Sequence, residues 1–483
     1  MSALKKIATG VAGLDVITLG GIPEGRSTLV VGKSGTGKTV VGLQIAANLA
    51  RQGIPTIVLA VEETPEDMQD SGNMLGLNIT QLVRDGKLHF ANITHPMDGP
   101  TVIAGDYDIY GLVHRIEAMV KHTGARALIL DSASALFSPR PAAEVLRSLF
   151  FQLIYALRTL GLTAVVIAES AADYGQLTTM GVEDYVCDLT LILRNIVDGG
   201  RRRRSVEVNK YRRSAHFKGE YPCTITTRGL SVFPLDAKDQ PVQMNVERYS
   251  SGVAGLDQMT GGGWLRNSII IVRGPTGSGK TMLAGLYARA GAMRGERVVY
   301  YGFEETRPIL LRNYREIGMP MDDFIENGTL KVICRYPEAT SLEDLLVDLR
   351  LELEELKPSL IVMDSISSIE HATSEKGFRQ FMIGVASILR EHGRSALITQ
   401  TTAGEHDEHT APYLSTIADA ILTLDYTLGG YELDRLMRVI KMRGSAHETH
   451  PYRLEIRAGG LSVAMLSPEE GARLESARRP RRR

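Results

Sequence analysis

The sequence predicts an α/β fold built twice in tandem, each copy a mostly parallel, twisted sheet flanked by helices. Three observations predict it. The pattern G-x-x-x-x-G-K-[ST] occurs at Gly32-Lys33-Ser34-Gly35-Thr36-Gly37-Lys38-Thr39 and again at Gly274-Pro275-Thr276-Gly277-Ser278-Gly279-Lys280-Thr281. Each copy follows an apolar, β-branched run (27–31 and 269–272) and precedes a helix-like pattern, the strand, loop and helix order of a phosphate-binding P-loop. Beyond the loops, short β-branched runs alternate with amphipathic stretches of helical length, as in a parallel sheet sandwiched by helices.

The halves are collinear copies, so a landmark in one can be read in the other. Gly10-Val11-Ala12-Gly13-Leu14-Asp15 recurs as Gly252-Val253-Ala254-Gly255-Leu256-Asp257, an offset of 252 − 10 = 242 that the loops and the pairs Glu62-Glu63 and Glu304-Glu305 keep. Asp131 and Asp364, each closing an apolar run and followed by Ser, correspond at 364 − 131 = 233. Lys210-Tyr211-Arg212 and Lys441-Met442-Arg443 correspond at 441 − 210 = 231. Helices are predicted at 43–51 and 282–294, the next strands at 56–61 and 297–302, and late strands at 206–210 and 438–442. Residues 1–233 are the first domain and 247–466 the second. The polar, Pro-bracketed stretch 234–246 reads as a linker, and 467–483 as a basic, disordered tail.

With 483 residues, a net charge of −1 and 23% charged residues, the chain lacks the global basic field of a nucleic-acid binder. The basic run 201–204 reads as an intersubunit or solvated face, and nucleic acid is not an expected partner. Cys187, Cys223 and Cys334 have neither paired nor metal-ligand spacing, which suits a reducing cytoplasm. His406, His409, His447 and His450 fit no metal-ligand set. No export segment and no apolar run of about 18 residues is present, so a soluble cytoplasmic protein without a membrane partner is expected.

The loops call for ATP and Mg²⁺. Ser34, Gly35, Thr36, Gly37 and Lys38, with Thr276, Gly277, Ser278, Gly279 and Lys280, would cradle phosphates, while Thr39 and Thr281 ligate Mg²⁺. Asp131 and Asp364 at strand ends fit the acidic residue that holds the metal through its water shell, and Glu304 joins the metal set of the second site. Hydrolysis also needs a carboxylate that polarises the attacking group, for which Glu62, Glu63, Glu304 and Glu305 are candidates. The two-residue spacing of Lys210 and Arg212, and of Lys441 and Arg443, puts each pair on one face of a strand. Such cations serve either as surface charge or as fingers reaching a phosphate in a neighbouring subunit.

The chain resembles the KaiC family, within the RecA/DnaB-like P-loop ATPases. The resemblance rests on GVAGLD, both loops, both Glu pairs, the basic run before Ser205-Val206-Glu207, Lys218-Gly219-Glu220-Tyr221-Pro222 and Phe378-Arg379-Gln380-Phe381, and it extends to about residue 463. It implies two RecA-like domains in a double-ringed homohexamer with ATP bound between subunits. It also implies slow hydrolysis in the first ring and Ser/Thr autokinase activity, with autophosphatase activity, in the second. A KaiB-like regulator or signalling protein would read the phosphorylation state. The family's nucleotide contacts fall on Lys210, Arg212, Ser214 and His216, and on Lys441, Arg443, Ser445 and His447. Its phosphorylation pair falls on Ser415 and Thr416, with Thr410 as the neighbouring Thr; the first copy carries Asp184 and Tyr185 in that register. In the implied mechanism Glu304 draws the proton from the acceptor hydroxyl of the adjacent subunit, whereas Glu62 or Glu63 orients water.

Two departures qualify the resemblance. Ile317 stands where the family usually has an aromatic near the adenine, and the Arg-rich stretch after Val463 is unlike the family's activator-binding segment. The other readings are a DNA-dependent recombinase or helicase motor of the same superfamily, and a nucleotide-gated scaffold that barely turns over.

Overall fold

The chain divides into two compact units, Met1–Pro234 and Leu235–Arg483. The computed structural model describes residues 4–92, 109–136, 142–170, 172–174, 186–198, 201–234, 247–337, 341–402, 412–429 and 432–467. Most of the expected linker and tail, Thr410, His406, His409, Asp184 and Tyr185 lie outside the described residues.

In the first unit β1 (Lys6–Ile7) and β2 (Ile22–Pro23) pair as a small ribbon. The main sheet contains β3 (Ser27–Gly32), β4 (Thr56–Ala60), β5 (Leu88–Asn92), β6 (Ala127–Asp131), β7 (Thr163–Glu169), β8 (Leu189–Asp198), β9 (Arg201–Tyr211), β10 (Glu220–Thr226) and β11 (Gly229–Val232). Its nine strands lie in the order β11-β10-β9-β8-β3-β7-β6-β4-β5. β3 through β8 are parallel to one another, and β9, β10 and β11 continue the sheet antiparallel.

The second unit repeats the plan. β12 (Arg248–Tyr249) and β13 (Trp264–Leu265) form the ribbon. β14 (Ile269–Gly274), β15 (Val298–Gly302), β16 (Leu330–Cys334), β17 (Leu360–Asp364), β18 (Ser395–Thr401), β19 (Ala420–Gly429), β20 (Glu432–Met442), β21 (Tyr452–Arg457) and β22 (Gly460–Met465) make the sheet. Their order is β16-β15-β17-β18-β14-β19-β20-β21-β22, strand for strand that of the first unit. These are two tandem RecA-like α/β domains.

All six residues of β3 and all six of β14 are buried, as central parallel strands covered on both faces must be. Leu29, Val31, Leu128 and Val166 pack beneath Leu146, Phe150 and Leu153 of the helix Ala143–Thr159. The helices Lys38–Arg51 and Lys280–Met293 begin at the loop lysines, earlier than their apolar periodicity suggests, because the loop itself supplies the helix start. β9 and β20 each extend to 11 residues, longer than their apolar runs. Antiparallel pairing carries these hairpins past the core, where one face meets water and Arg202, Arg203 and Arg204 are accommodated.

The copies differ by a reciprocal exchange near the sheet. In the first unit Leu43 and Gly72 stand where the second has Gly285 and Tyr314. A Cβ on Gly285 would lie 2.2 Å from Cε1 of Tyr314, so the small residue on the loop helix makes room for the ring. Tyr300 likewise replaces Val58, and Tyr300 and Tyr314 are buried edge to face, their centroids 6.2 Å apart. Among the described residues no helix is long and apolar enough to cross a membrane.

Candidate active sites and their far-edge cations

Each loop leaves the carboxyl end of the central strand and turns directly into a helix. Gly37 and Gly279 cap those helices at φ 101° and 105°, a left-handed conformation that favours glycine. Neither cap uses a side chain, so the first helical N–H groups remain directed at an anion site. Ser34, Gly35, Thr276 and Gly277 form the exposed crests, whereas Thr36 and Ser278 are buried beneath them. Lys38 Nζ donates to Lys33 O at 3.0 Å, and Lys280 Nζ donates to Gly274 O and Pro275 O at 2.8 and 2.9 Å. Burial is the main cause holding both ammonium groups below their ordinary value.

The strand-end acids meet the loop threonines. Thr39 bonds Asp131, whose carboxyl burial pushes up to about 6 against the pull of that bond and of Lys38. Thr281 bonds Asp364, which burial also raises; it accepts from Tyr300 Oη at 2.7 Å and from Thr399 Oγ1. Tyr300 and Tyr314 hydroxyls lie 2.9 Å apart, and Tyr314 Oη donates to Thr281 O at 2.8 Å, linking the acid back to the loop helix. A hydroxyl beside a carboxylate is an oxygen donor set suited to Mg²⁺, which keeps several waters and takes substrate phosphates as its other ligands. Among the described residues no group of three or more His, Cys, Asp or Glu could hold a metal unaided.

The serine after each of these acids orients a glutamate. Ser132 Oγ donates to Glu62 Oε1 at 3.1 Å, and Ser365 Oγ to Glu304 Oε1 at 2.6 Å. Glu305 instead accepts from Asn313 Nδ2 at 3.0 Å, while Glu63 acts electrostatically on Asp131. Both copies show the Asp-Ser pair in sequence, but nothing there says that the serine aims the glutamate. Glu169, at the end of β7 beside the first loop, was also missed; its only signal is that the second copy has Thr401 there.

The cation pairs stand elsewhere. β8 enters beside the start of β3, with Leu189 opposite Thr28, and β9 returns so that Lys210 lies opposite Thr190. In the second unit Lys441 lies opposite Ile421 and Met442 opposite Ala420, itself opposite Ile270. These cations occupy the edge where the central strand begins, roughly 17 Å from the edge where it ends in the loop, at about 3.3 Å per residue.

One sequence expectation is corrected here. The register shifts between Thr190 and Leu191, and between Ile421 and Leu422, bulging the partner strand just before each lysine. β9 and β20 then end, leaving Arg212 and Arg443 outside the strand with their N–H groups on Asp188 O and Asp419 O. Strand alternation therefore does not set the faces of these arginines; the bulge and the turn do.

The remaining residues of the set follow in the same turns. Ser214 Oγ donates to Ala215 O and Ser445 Oγ to Ala446 O, at 2.7 and 2.9 Å, while Arg248 donates to Ser445 Oγ. His216 and His447 are partly buried, and burial, followed by Lys218 and Lys6, lowers the His216 value. A cleft of about 590 Å³ opens at this edge of the first unit between Ser27, Asp188, Arg212 and the exposed Phe151 and Tyr155.

Ser415 and Thr416 share that edge in the second unit. They lie on the short helix Pro412–Ile417, Ser415 partly exposed and Thr416 exposed. Lys441 Nζ donates to Ser415 O and, at 2.8 Å, to Ala418 O; Arg443 Nη2 donates to Thr416 O at 2.8 Å. The two cations thus tie down the end of the helix that carries both hydroxyls.

A family model described as a KaiC ATPase matches residues 7–237 and again 249–467. The chain belongs to the KaiC ATPase family. It is 38% identical over 466 residues to the circadian clock oscillator protein KaiC of Picosynechococcus, covering 96% of this chain and 90% of that one. The KaiC proteins of Thermostichus vulcanus and Synechococcus elongatus are 39% and 38% identical, each covering 92% of this chain and 86% of its own length. These matches support the clock-ATPase reading rather than a DNA-dependent motor.

Removing the Tyr300 hydroxyl leaves Asp364 and Tyr314 short of a buried partner. Tyr300→Phe is expected to destabilise the second unit by about 1–3 kcal/mol, read as a lower urea midpoint for that unit. The first unit, with Val58 in place of the tyrosine, should unfold as before.

Proposed function

We propose that the protein is a homohexameric ATPase and Ser/Thr autokinase whose phosphorylation state serves as a signal or timer. The relatives are named as circadian clock oscillator proteins, and a KaiB-like protein is the class of partner that would read the state. The observation that carries the reading is the separation, within each unit, of the phosphate loop from the cations and hydroxyls at the opposite sheet edge. Groups so placed stand far from their own unit's loop, which supports their reaching a nucleotide held by another subunit, and the exposed aromatics of the first unit's far-edge cleft suit such a contact.

In the first unit, Ser34 to Thr39 hold ATP, and Glu62, aimed by Ser132, or Glu63 orients the attacking water. In the second, Thr276 to Thr281 hold ATP, and Glu304, aimed by Ser365, takes the proton from the Thr416 or Ser415 hydroxyl of the adjacent subunit. The hydroxyl oxygen bonds to the γ-phosphorus as the bond to the β,γ-bridging oxygen breaks, and ADP leaves. Mg²⁺ held by Thr39 with Asp131, and by Thr281 with Asp364 and Glu304, would neutralise the transferring phosphoryl charge. Lys210, Arg212, Ser214 and His216, with Lys441, Arg443, Ser445 and His447, would contact the neighbouring nucleotide. Glu305, held by Asn313, supports the second site from behind Glu304.

After incubation with Mg·ATP, phosphopeptide mass spectrometry should find phosphate on the Ser415/Thr416 peptide. Glu304→Gln should lower it by about 10²-fold or more while hydrolysis at the first site persists. Wild-type protein without that phosphate would remove the kinase half of the proposal. Native mass spectrometry with and without ATP reports the subunit number.

The first site should also be sensitive to acid. The Asp131 carboxyl titrates near 6 in the folded chain against an ordinary 3.8, so its contribution to stability is present below about 3.8 and lost as pH rises through about 6. Metal binding needs the ionised form. In a Lys280→Ala background, hydrolysis at fixed Mg²⁺ is expected to fall as pH drops through about 6, with added Mg²⁺ moving the midpoint lower.

A further inference from the structure

The strand beside the phosphate loop ends differently in the two units. β7 sets Glu169 opposite Gly32, and β18 sets Thr401 opposite Gly274. The backbone frame is the same in both. Ser170 N donates to Gly32 O and Thr402 N to Gly274 O, each at 3.1 Å. Glu169 N donates to Ser134 Oγ at 2.9 Å and Thr401 N to Ser367 Oγ at 2.7 Å. What changes is one side chain, at the point where the loop begins.

That side chain bears on the loop lysine. Among the charges around Lys38, Glu169 acts most strongly, ahead of Asp131 and Glu62. Lys280 has Asp364 and Glu304 as its acidic neighbours, the counterparts of Asp131 and Glu62, and nothing corresponding to Glu169. The ammonium that must receive the β- and γ-phosphates is therefore already faced, in the first unit alone, by a third carboxylate. ATP carries one more charged phosphate than ADP, and that terminal group competes with this carboxylate for the same cation.

We propose that Glu169 is a specificity-determining residue of the first nucleotide site: its charge faces Lys38, whose ammonium donates to Lys33 O, and opposes the γ-phosphate when ATP binds. The first site thereby discriminates less in favour of ATP over ADP than the second does. This rests on the reading that both loops bind nucleotide.

The test uses the full chain carrying Lys280→Ala, so that only the first site reports, titrated with fluorescent ATP and ADP analogues. Glu169→Gln, which keeps the side-chain shape and the backbone bond to Ser134, is expected to tighten ATP about tenfold and ADP by a much smaller factor. In a Lys38→Ala background, Thr401→Glu is expected to weaken ATP at the second site by a similar factor while affecting ADP less. An unchanged or weakened ATP affinity in Glu169→Gln overturns the proposal, as does equal tightening of ATP and ADP. If the Lys280→Ala chain with native Glu169 binds neither nucleotide, the nucleotide-site reading fails and the proposal fails with it. The Thr401→Glu arm remains informative should Glu169→Gln not fold.

Discussion

A parallel sheet has two unlike edges, and the chemistry of this protein depends on that polarity. Strand carboxyl ends deliver the loop, the metal-type aspartate and the glutamate to one edge, which is where such sheets gather ligands. The hairpins β8–β9 and β19–β20 run back along the central strand and deliver their cations to the other. A single unit thus carries its phosphate loop at one edge and its paired cations at the other. The register keeps the two groups at opposite edges of the same sheet, and in the proposed reading they act together only across neighbouring subunits.

Duplication supplied the frame, and a few local exchanges give the copies different properties. Leu43 and Gly72 against Gly285 and Tyr314, with Val58 against Tyr300, give the second unit alone a hydroxyl chain running from Asp364 to the loop helix. Glu169 against Thr401 changes the charge in front of the loop lysine. The helix bearing Ser415 and Thr416, fastened by Lys441 and Arg443, puts hydroxyls at the far edge of the second unit. Each change touches one to three side chains and leaves the strand order untouched.

Much of this was legible in the sequence because its signals are local. The loops, the strand-end acids and the Glu pairs are contiguous motifs at fixed offsets, and β-branched runs followed by helical periodicity specify the sheet. Properties set by pairing register were hidden. The lysine and arginine of each far-edge pair look like alternate residues of one strand, yet a bulge before the lysine and a strand end after it decide where they stand. Ser132 and Ser365 read as residues following an acid, and only the folded chain brings their hydroxyls to Glu62 and Glu304. Glu169 belongs to no motif at all; it gains significance because β7 lies against β3.

The claim that phosphoryl transfer crosses between subunits is tested most directly by mixed assembly. One subunit type would carry Ser415→Ala and Thr416→Ala with an intact nucleotide site, the other Glu304→Gln with intact acceptors, and the two would be joined by adding Mg·ATP. Phosphate should appear on the Ser415/Thr416 peptide of the Glu304→Gln subunits, supplied by their neighbours. Its absence from the mixed assembly, with unmixed wild-type protein phosphorylated under the same conditions, would contradict the account.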